Sequence, residues 1–423
     1  MHHFQYINDE LYCEEVPLRV ISDQIGTPAF VYSRSTLERH FRVFGEPFAP
    51  VSHLICYSMK SCSNLAILKI FVNMGSGVDI VSGGELYRAL RAGVAPSRIV
   101  YSGVGKTASE IEAALTADIL MFNVESEEEL MVLDRQAGSV GKTAKISFRV
   151  NPDVDPLTHP YISTGLKKNK FGIQIERSLE LYHKAKTLKF IEPIGVDCHI
   201  GSQLMELSPF TDALDRLLEL VHRLRSEGID VRYLDIGGGL GIPYSDEEPP
   251  LPAEYGRAIL KMISGLDVTL ILEPGRVLTG NAGVLVTRVL YKKHGFDKEF
   301  VIVDAAMNDL IRPSLYKAYH SIWKVDRSAA GPGGTRRIIA DVVGPICESG
   351  DFFAQSREMD DVQSGELLAL MSAGAYGFSM SSNYNSRRRA AEVLVDKDTF
   401  SVIRERETYE DLVKGERIPP TIL

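Results

Sequence analysis

Residues 53–60 read HLICYSMK, a short apolar run that ends in a lysine, Lys60. The same unit recurs up to about residue 276: an apolar run that ends in polar residues or glycine, then an amphipathic stretch of helical period. The predicted strands are 53–60, 77–82, 99–104, 119–126, 145–152, 194–202, 233–239 and 269–276, and clear helical patterns occupy 64–74, 84–93, 108–117 and 209–228. Strands and helices that alternate in this way predict a (β/α)8 barrel of the TIM type.

Polar residues stand at the carboxyl ends of these predicted strands. Lys60, Ser82, Asn151, His199 and Arg276 each fall at or near such an end. The active sites of (β/α)8 barrels are built on that face, so the barrel interpretation also predicts where the site lies. A doubly wound open sheet is the alternative, but it does not account for polar residues at the end of nearly every strand.

The pattern changes after Gly280. Strand-like runs with Gly-rich turns and few helices follow, and a further strand-like piece, FVYSR, lies near the N-terminus at residues 30–34. We therefore expect a second, all-β domain of barrel or sandwich type. The expected division is an N-terminal arm that joins the β domain (1–35), the barrel (36–279) and the C-terminal β domain (280–423).

Composition limits the classes of function. The chain of 423 residues carries a formal net charge of −9, which argues against nucleic acid as the main partner. Its five cysteines form no disulfide framework, and Cys56 and Cys62 lack the second pair that a zinc site requires, so no metal is expected. No apolar stretch reaches the length of a membrane span, and the N-terminus does not read as a signal peptide. The expected location is the cytoplasm.

Two features of the barrel segment suit a carbonyl cofactor that carries a phosphate. An amine at the end of a buried strand, as at Lys60, can form an imine, although a lone lysine at a barrel rim is more often a surface charge. The triple glycine Gly237–Gly239 and Gly275 of the EPGR sequence let backbone N–H groups approach a phosphate, a recurrent feature after the last two barrel strands. A triple glycine by itself would indicate only a tight turn.

Further side chains complete a pocket for a pyridine ring and an amino acid. Glu273 ends the last predicted strand, where a carboxylate would keep a pyridine nitrogen protonated and so stabilise a carbanion at the substrate Cα. His199 could stack on the ring, and Arg276, Arg312 and Tyr316 could bind a substrate carboxylate. The alternatives are a rim salt bridge with Arg276 for Glu273, a hydrogen-bonded core residue for His199 and ordinary surface charges for the arginines. Together the clusters predict pyridoxal 5′-phosphate (PLP) chemistry on an amino acid.

Several longer segments resemble one known family. They are GSGVDIVSGGELYRAL (75–90), HIGSQ (199–203), LDIGGGLGIPY (234–244), EPGR (273–276), RPSLYKAYH (312–320), VVGPICESGD (342–351) and GAYGFSMSSNYNSR (374–387). By these segments the chain resembles, nearly end to end, the fold-type III PLP-dependent decarboxylases, and among them the diaminopimelate decarboxylases. One departure is YSMKSCSN around Lys60, where Ser61 and Cys62 replace small or amide residues.

The resemblance implies roles for individual residues. Lys60 would form the imine, His199 would stack on the ring and Glu273 would face the ring nitrogen. Cys347 and Glu348 would enter the site from the partner subunit of a homodimer. Cys347 would be the proton donor, and Glu348 would bind the distal ammonium group of the substrate. The rest of the implied cofactor set is Asp79, Ser202, Gly238, Gly239, Gly275, Arg276 and Tyr376, and the implied substrate set is Arg276, Arg312, Tyr316, Glu348 and Tyr376.

Several related amino acids are candidate substrates. Meso-2,6-diaminopimelate, converted to L-lysine and CO2 in the final step of lysine biosynthesis, is favoured, because Arg312 and Tyr316 supply carboxylate binding that ornithine and arginine do not need. Carboxylated polyamine precursors also carry a carboxylate and stay open as an alternative. A racemase of this architecture would place an arginine at the ring nitrogen. A non-catalytic relative is disfavoured because Lys60, Glu273 and Cys347 are all present.

Overall fold

The computed structural model describes residues 2–155, 158–159, 162, 164, 170–296, 298–328 and 336–422. The chain divides into two compact units. One unit combines Met1–Thr36 with Gly280–Leu423, and the other is Leu37–Thr279. Helices and strands are numbered below in chain order.

The N-terminal part of the first unit forms a small antiparallel sheet, one helix and one strand of a larger sheet. Helix α1 buries Leu18 and Ile21, and all five residues of β4 are buried, as expected of a strand with neighbours on both sides. The elements are β1 (Phe4–Ile7), β2 (Glu10–Cys13), β3 (Val16–Pro17), α1 (Leu18–Ile25) and β4 (Ala29–Ser33).

Strands and helices alternate through the second unit. After α2 (Arg34–Gly45), the elements are β5 (His53–Ser58), α3 (Leu65–Asn73), β6 (Gly77–Ile80), α4 (Gly83–Ala92), β7 (Ile99–Tyr101), α5 (Ala108–Ala117), β8 (Met121–Val124), α6 (Glu127–Ser139), β9 (Ala144–Asn151), β10 (Ile173–Gln174), α7 (Ile175–Thr187), β11 (Ile191–Asp197), α8 (Ser208–Ser226), β12 (Tyr233–Asp235), α9 (Pro252–Met262), β13 (Thr269–Leu272) and α10 (Arg276–Thr279).

The parallel strands of this unit close into a barrel. Their order is β9-β11-β12-β13-β5-β6-β7-β8, and β8 also pairs with β9, so each of these strands has a neighbour on both sides. The short strand β10 adds to β9. The predicted (β/α)8 barrel is therefore confirmed and the open doubly wound sheet is wrong. The predicted strands were each drawn too long at the carboxyl end, because most of the residues there belong to loops or, as with Arg276, to the next helix.

Short polar side chains begin the helices that follow the strands. The side chains of Asn64, Ser82, Thr107 and Ser126 accept backbone N–H bonds in the first turns of α3, α4, α5 and α6. Such caps satisfy N–H groups that have no partner within the helix. Ser82, which stands at the end of a predicted strand, is accordingly the N-cap of α4.

The interior of the barrel changes from apolar to polar along the strands. An apolar cluster fills one end and consists of Leu54, Cys56, Val100, Leu120, Met121, Ile194, Ile271 and Tyr233. Two residues further along the same strands, on the same face, stand Asn123 after Met121 and Asp235 after Tyr233. Glu273 follows Ile271 in the same way. The polar side chains therefore lie at the carboxyl end of the barrel.

The C-terminal part of the first unit is mainly β-structure. Strand β4 pairs with both β14 and β20, so the N-terminal strand is internal to this sheet. The sheet order is β18-β17-β15-β14-β4-β20-β21, with β19 paired to β14 and β16. The elements are β14 (Gly283–His294), β15 (Glu299–Val303), α11 (Arg312–Tyr316), β16 (Ile322–Lys324), β17 (Arg337–Val343), β18 (Phe352–Asp360), β19 (Leu367–Leu370), β20 (Ala391–Asp396), β21 (Thr399–Arg404) and α12 (Tyr409–Leu412). Within the described ranges, no helix has both the length and the apolar character required to cross a lipid bilayer.

Candidate active site

Lys60 lies just beyond the end of β5 and forms an ion pair with Asp79 of the neighbouring strand β6. The Lys60 Nζ atom is 3.2 Å from Asp79 Oδ2, which also accepts a hydrogen bond of 2.7 Å from the Ser58 hydroxyl. Ser58 and Asp79 are directly paired residues of the two parallel strands, which is why the side chains meet. The Asp79 side chain is fully buried, whereas that of Lys60 is 35% exposed. The amine is thus oriented by a fixed carboxylate and remains accessible.

The segment after Lys60 is fixed by buried hydroxyl groups. Ser61 Oγ lies 2.9 Å from the carbonyl oxygen of Ser58 and 3.0 Å from the hydroxyl of Tyr57. The Tyr57 hydroxyl in turn donates to the Cys62 carbonyl oxygen over 2.8 Å. Both Ser61 and Cys62 are buried. The residues that depart from the family pattern therefore hold the turn that presents the lysine.

Glu85 is a further acidic group near the amine. Its carboxylate accepts the backbone N–H of Val81 over 2.8 Å, at the start of α4. Burial raises the pKa of Glu85 to about 7, and the charge of Asp79 acts in the same direction while that of Lys60 opposes it. The sequence pattern gave this residue no role beyond the helical face of 84–93.

His199 follows β11 and is held against the triple glycine. The backbone N–H of Gly238 donates to His199 Nδ1 over 3.2 Å, so the ring is neutral and carries its proton on Nε2. Burial lowers the pKa of His199 well below its usual value, and the charges of Lys60 and Arg149 add to this effect. A neutral ring with a fixed orientation is suited to stacking.

Close backbone approach requires glycine at position 238. A Cβ atom at this position would lie 2.1 Å from the carbonyl oxygen of Glu273, on the adjacent strand end. At Gly239 the φ angle is +121°, and a Cβ there would lie 2.6 Å from the Gly201 carbonyl oxygen. The triple glycine therefore brings the ends of β11, β12 and β13 together.

Arg276 and Ser202 form a polar group beside these glycines. The guanidinium of Arg276 donates to Ser202 Oγ through Nη2 at 3.0 Å and Nε at 3.3 Å, and to the Tyr244 hydroxyl through Nη1 at 2.6 Å. Arg276 is buried. A buried guanidinium and a hydroxyl next to glycine backbone form a donor set of the kind that binds phosphate. Tyr244 was not predicted as a site residue, although it ends the segment LDIGGGLGIPY.

Glu273 lies just beyond the end of β13 among other buried acids. Its backbone N–H donates to the Gly237 carbonyl oxygen over 2.8 Å, while its Oε1 atom is buried without a hydrogen-bond partner among the described residues. Burial raises the pKa of Glu273 well above its usual value, and Asp235, Asp79 and Asp197 raise it further. One oxygen of this buried carboxyl therefore has no donor among the described residues.

The remaining predicted residues belong to the first unit. Arg312 is buried at the start of α11, Tyr316 ends this helix, and Tyr376 has a positive φ of 56°. Cys347 and Glu348 are exposed on the loop between β17 and β18. An aspartate in a loop is usually exposed to solvent, but Asp351 is buried. Its carboxylate accepts hydrogen bonds from the backbone N–H groups of Ile346 and Met307, each over 2.7 Å. Asp351 thus fixes the loop that exposes Cys347.

Comparisons with known proteins show the family of the chain. Residues 34–280 match a family described as "Pyridoxal-dependent decarboxylase, pyridoxal binding domain". The chain is 53% identical over 417 residues to a diaminopimelate decarboxylase of Pseudomonas aeruginosa, and the match covers 99% of both chains. It is 51% identical over 413 residues to that of Haemophilus influenzae, covering 97% of this chain and 98% of the relative.

The chain belongs to the diaminopimelate decarboxylase family. The crystal structure of the Helicobacter pylori diaminopimelate decarboxylase complexed with L-lysine is 44% identical, with a TM-score of 0.90 over 94% of this chain and 98% of that one. A diaminopimelate decarboxylase from M. jannaschii in co-complex with L-lysine is 37% identical, with a TM-score of 0.94 over 100% of both chains. The predicted family and the predicted cofactor, PLP, are confirmed.

The residues of the second unit fit this cofactor. A family member needs an amine for the aldehyde, donors for the phosphate and an acid for the ring nitrogen. Lys60 presents the amine, Ser202 and Arg276 present donors, and Glu273 has a buried oxygen without a partner. All of them lie at the carboxyl end of one barrel. Their individual roles remain predictions.

Sequence reasoning assigned no role to several buried charged residues. Arg149, Asp197 and Asp235 are each less than 8% exposed and lie near Glu273 or His199. A sequence signal existed for the two aspartates, because Asp197 lies two residues before His199 of HIGSQ and Asp235 lies within LDIGGGLGIPY. Their convergence follows from the register of the neighbouring strands β9, β11 and β12, which pairs Asp197 with both Arg149 and Asp235 and which a strand pattern alone does not specify.

Proposed function

We infer that the protein removes one carboxyl group of meso-2,6-diaminopimelate and yields L-lysine and CO2, the final step of lysine biosynthesis. One observation carries the reaction type: Glu273, just beyond the end of β13, has a buried carboxyl oxygen with no partner among the described residues, in a chain 53% identical to a diaminopimelate decarboxylase. An acid at this point suits a protonated pyridine ring, which is the form that stabilises a carbanion.

The chain's own residues prepare the reaction. Lys60 supplies the amine for covalent attachment, and Asp79 orients this amine and keeps it paired when no cofactor is attached. When bound, PLP takes up the electron pair that remains at Cα after CO2 departs. Glu273 holds a proton on the ring nitrogen, and His199 supports the ring face in its neutral form.

Residues at the ends of the last barrel strands bind the phosphate group of the cofactor. We assign it to the Ser202 hydroxyl, the backbone of Gly238, Gly239 and Gly275, and the side chain of Arg276. Their support is the close grouping of Ser202 and Arg276 and the close packing of the glycines described above. A buried guanidinium that already donates to a serine hydroxyl has little freedom to move, so the donors are arranged before the phosphate arrives.

The substrate residues come from the first unit. We assign carboxylate binding to Arg312 and Tyr316 together with Arg276, and a contact with both cofactor and substrate to Tyr376. Cys347 is the proton donor to Cα and Glu348 binds the distal ammonium group. Both act in the site of the partner subunit, which makes the protein a homodimer with shared sites. The exposure of both side chains in the single chain, on a loop fixed by Asp351, supports this assignment. The proposed location is the cytoplasm.

A substrate panel tests the proposed function. The protein reconstituted with PLP is assayed for CO2 release from meso-diaminopimelate, L-ornithine, L-arginine, L-lysine and a carboxylated polyamine precursor, with Lys60→Ala as the matched control. L-lysine formation from diaminopimelate that is lost in Lys60→Ala is the expected result. Turnover of ornithine or arginine in place of diaminopimelate would contradict the assigned roles of Arg312, Tyr316 and Glu348, and turnover of the polyamine precursor alone would replace the substrate.

A further inference from the structure

Three buried carboxyl groups meet at the carboxyl end of the barrel. Asp197 ends β11, Asp235 ends β12 and Glu273 follows β13, and these strands are neighbours. One carboxylate oxygen from each lies within 4.8 Å of the others. The three residues are 1%, 0% and 5% exposed, so water does not screen their charges.

Each carboxyl of this group has one oxygen that lacks a hydrogen-bond donor. Asp235 Oδ1 accepts the backbone N–H of Gly237 over 2.9 Å, but Asp235 Oδ2 has no partner among the described residues. The same holds for Asp197 Oδ1 and Glu273 Oε1. A buried ionised oxygen without a donor is strongly unfavourable, so the group must bind protons or a cation.

The surrounding charges do not neutralise the group. Arg149 is the cation of the second unit that faces Asp197 and Glu273, and it already pairs with Glu125 at 3.2 Å. Lys60 is held by Asp79. Among the described residues, the charged and titratable groups that face the three carboxyls are Lys60, Asp79, Glu125, Arg149, Cys56, Cys198, Tyr182 and Tyr255. The acids outnumber the bases, and burial raises the pKa of all three carboxyls.

We propose that Asp197, Asp235 and Glu273 share protons in the cofactor-free protein, and that the cationic ring of the cofactor replaces one of these protons when it binds. Asp235 is then a positioning residue: it acts through Glu273 and sets whether this acid is charged. The identity of the cation as a pyridinium ring rests on the proposed function. The shared protons rest on the geometry of the three carboxyls alone.

The exchange is balanced without any redox step. Before binding, the Glu273 carboxyl carries a proton that Asp235 can also hold. The ring arrives with its N–H bond intact and a positive charge. Glu273 loses its O–H proton to the solvent and accepts the ring N–H as a carboxylate, so one proton is released and the charge inside the barrel is unchanged. Asp235 and Asp197 hold one proton and one negative charge between them both before and after the ring binds.

A cofactor analogue that cannot react with Lys60 tests this exchange. The probe is pyridoxine 5′-phosphate, which keeps the ring nitrogen and the phosphate but has an alcohol in place of the aldehyde. Titration calorimetry in buffers of different ionisation enthalpy counts the protons released per molecule bound. The matched variant is Asp235→Asn, which keeps the shape and can still accept the Gly237 N–H. We expect the unsubstituted protein to release about one proton more than Asp235→Asn near neutral pH.

The pH dependence of binding adds a second readout. Affinity for the probe rises with pH as Glu273 loses its proton, because only the carboxylate pairs with the ring cation. Without the charge of Asp235 nearby, Glu273 ionises at lower pH, so the acid limb of the affinity curve moves to lower pH in Asp235→Asn. A merely structural role for Asp235 would weaken binding equally at every pH and leave the proton count unchanged, and this result would overturn the proposal.

Two further arms separate the causes of failure. If circular dichroism shows that Asp235→Asn does not fold, Asp197→Asn replaces it in the test. This variant is also expected to lower the number of protons released. Equal proton counts in all variants overturn the shared-proton proposal but leave the proposed function intact. Failure of the unsubstituted protein to bind the probe contradicts the proposed cofactor site instead. Stabilisation of the cofactor-free protein by added Mg²⁺ or Zn²⁺ without the probe would mean that a metal cation occupies the group, and would also overturn the proposal.

Discussion

Gly238→Ala gives a direct test of how the end of the barrel is packed. The new Cβ would stand 2.1 Å from the carbonyl oxygen of Glu273 and 3.0 Å from its carbonyl carbon. Both neighbours are backbone atoms, so the contact cannot be relieved by a side-chain rotation. Separating them to an ordinary contact requires a shift of about 1 Å between the ends of β12 and β13. Gly238 is not among the residues with positive φ, so the effect is steric and does not arise from backbone conformation.

This shift has two expected consequences of calculable size. Overpacking of this kind costs about 1–3 kcal/mol of folding stability. A displacement of Glu273 and His199 by this distance lowers kcat by roughly 100-fold, because acid and ring then no longer meet in the required geometry. Cofactor affinity falls as well, since Gly238 also donates its N–H to His199.

The measurement combines urea unfolding of the cofactor-free protein, PLP titration and kcat on meso-diaminopimelate. Gly84→Ala is the control: it lies in the first turn of α4, where the nearest heavy atom to a new Cβ is 3.8 Å away. This control should keep its activity and be as stable as the unsubstituted protein or slightly more so. A Gly238→Ala protein with unchanged stability, PLP affinity and kcat would refute the close approach of the two strand ends.

Three more outcomes are expected. Ser61→Ala removes a buried hydroxyl that holds the turn after Lys60, and urea unfolding should show a loss of about 1–2 kcal/mol, whereas the partly exposed Ser63→Ala should change little. Lys60→Ala and Cys347→Ala should each be inactive alone, and refolding them together should restore roughly a quarter of the activity, because half of the dimers then contain one intact shared site; no recovery would contradict shared sites. In the cofactor-free protein, buried acids keep protons that an unfolded chain loses from about pH 4 upward. Stability should therefore fall as pH rises toward the raised folded pKa values, by about 1.4 kcal/mol per pH unit for each retained proton, and Asp235→Asn should show a shallower slope in urea unfolding across pH.

The barrel was predictable because its signal is local. Each strand is a short apolar run and each following helix has its own period and N-cap, so the alternation is visible without any knowledge of long-range contacts. The strand ends were less predictable. Residues such as Ser82 and His199 were included in strands, but they form caps and loops because their side chains or backbone groups bond to the next element.

The site roles stay predictions, and the sequence could suggest them only where the residue type itself indicates a chemical role. Lys60 and Glu273 fall in this class. Arg149 and Glu125 do not, since their ion pair of 3.2 Å depends on the parallel register of β8 and β9. Ser61 is similar: its contacts with Tyr57 and Ser58 depend on the turn itself. Such contacts are set by three-dimensional packing, which residue spacing does not encode.

The segment DIGGG shows why two explanations of a motif need not compete. A triple glycine can indicate either a tight turn or a phosphate cradle, and the structure gives Gly238 a strict steric reason that involves no ligand. Yet the carbonyl oxygen of Glu273 approaches the Cα of Gly238, and the backbone N–H of Gly238 donates to the His199 ring. The Gly237 N–H fixes one oxygen of Asp235 and thereby leaves the other facing the acid group. The same glycines that let the strands converge therefore also fix His199, Glu273 and Asp235, so a substitution made to probe phosphate binding would disturb all three.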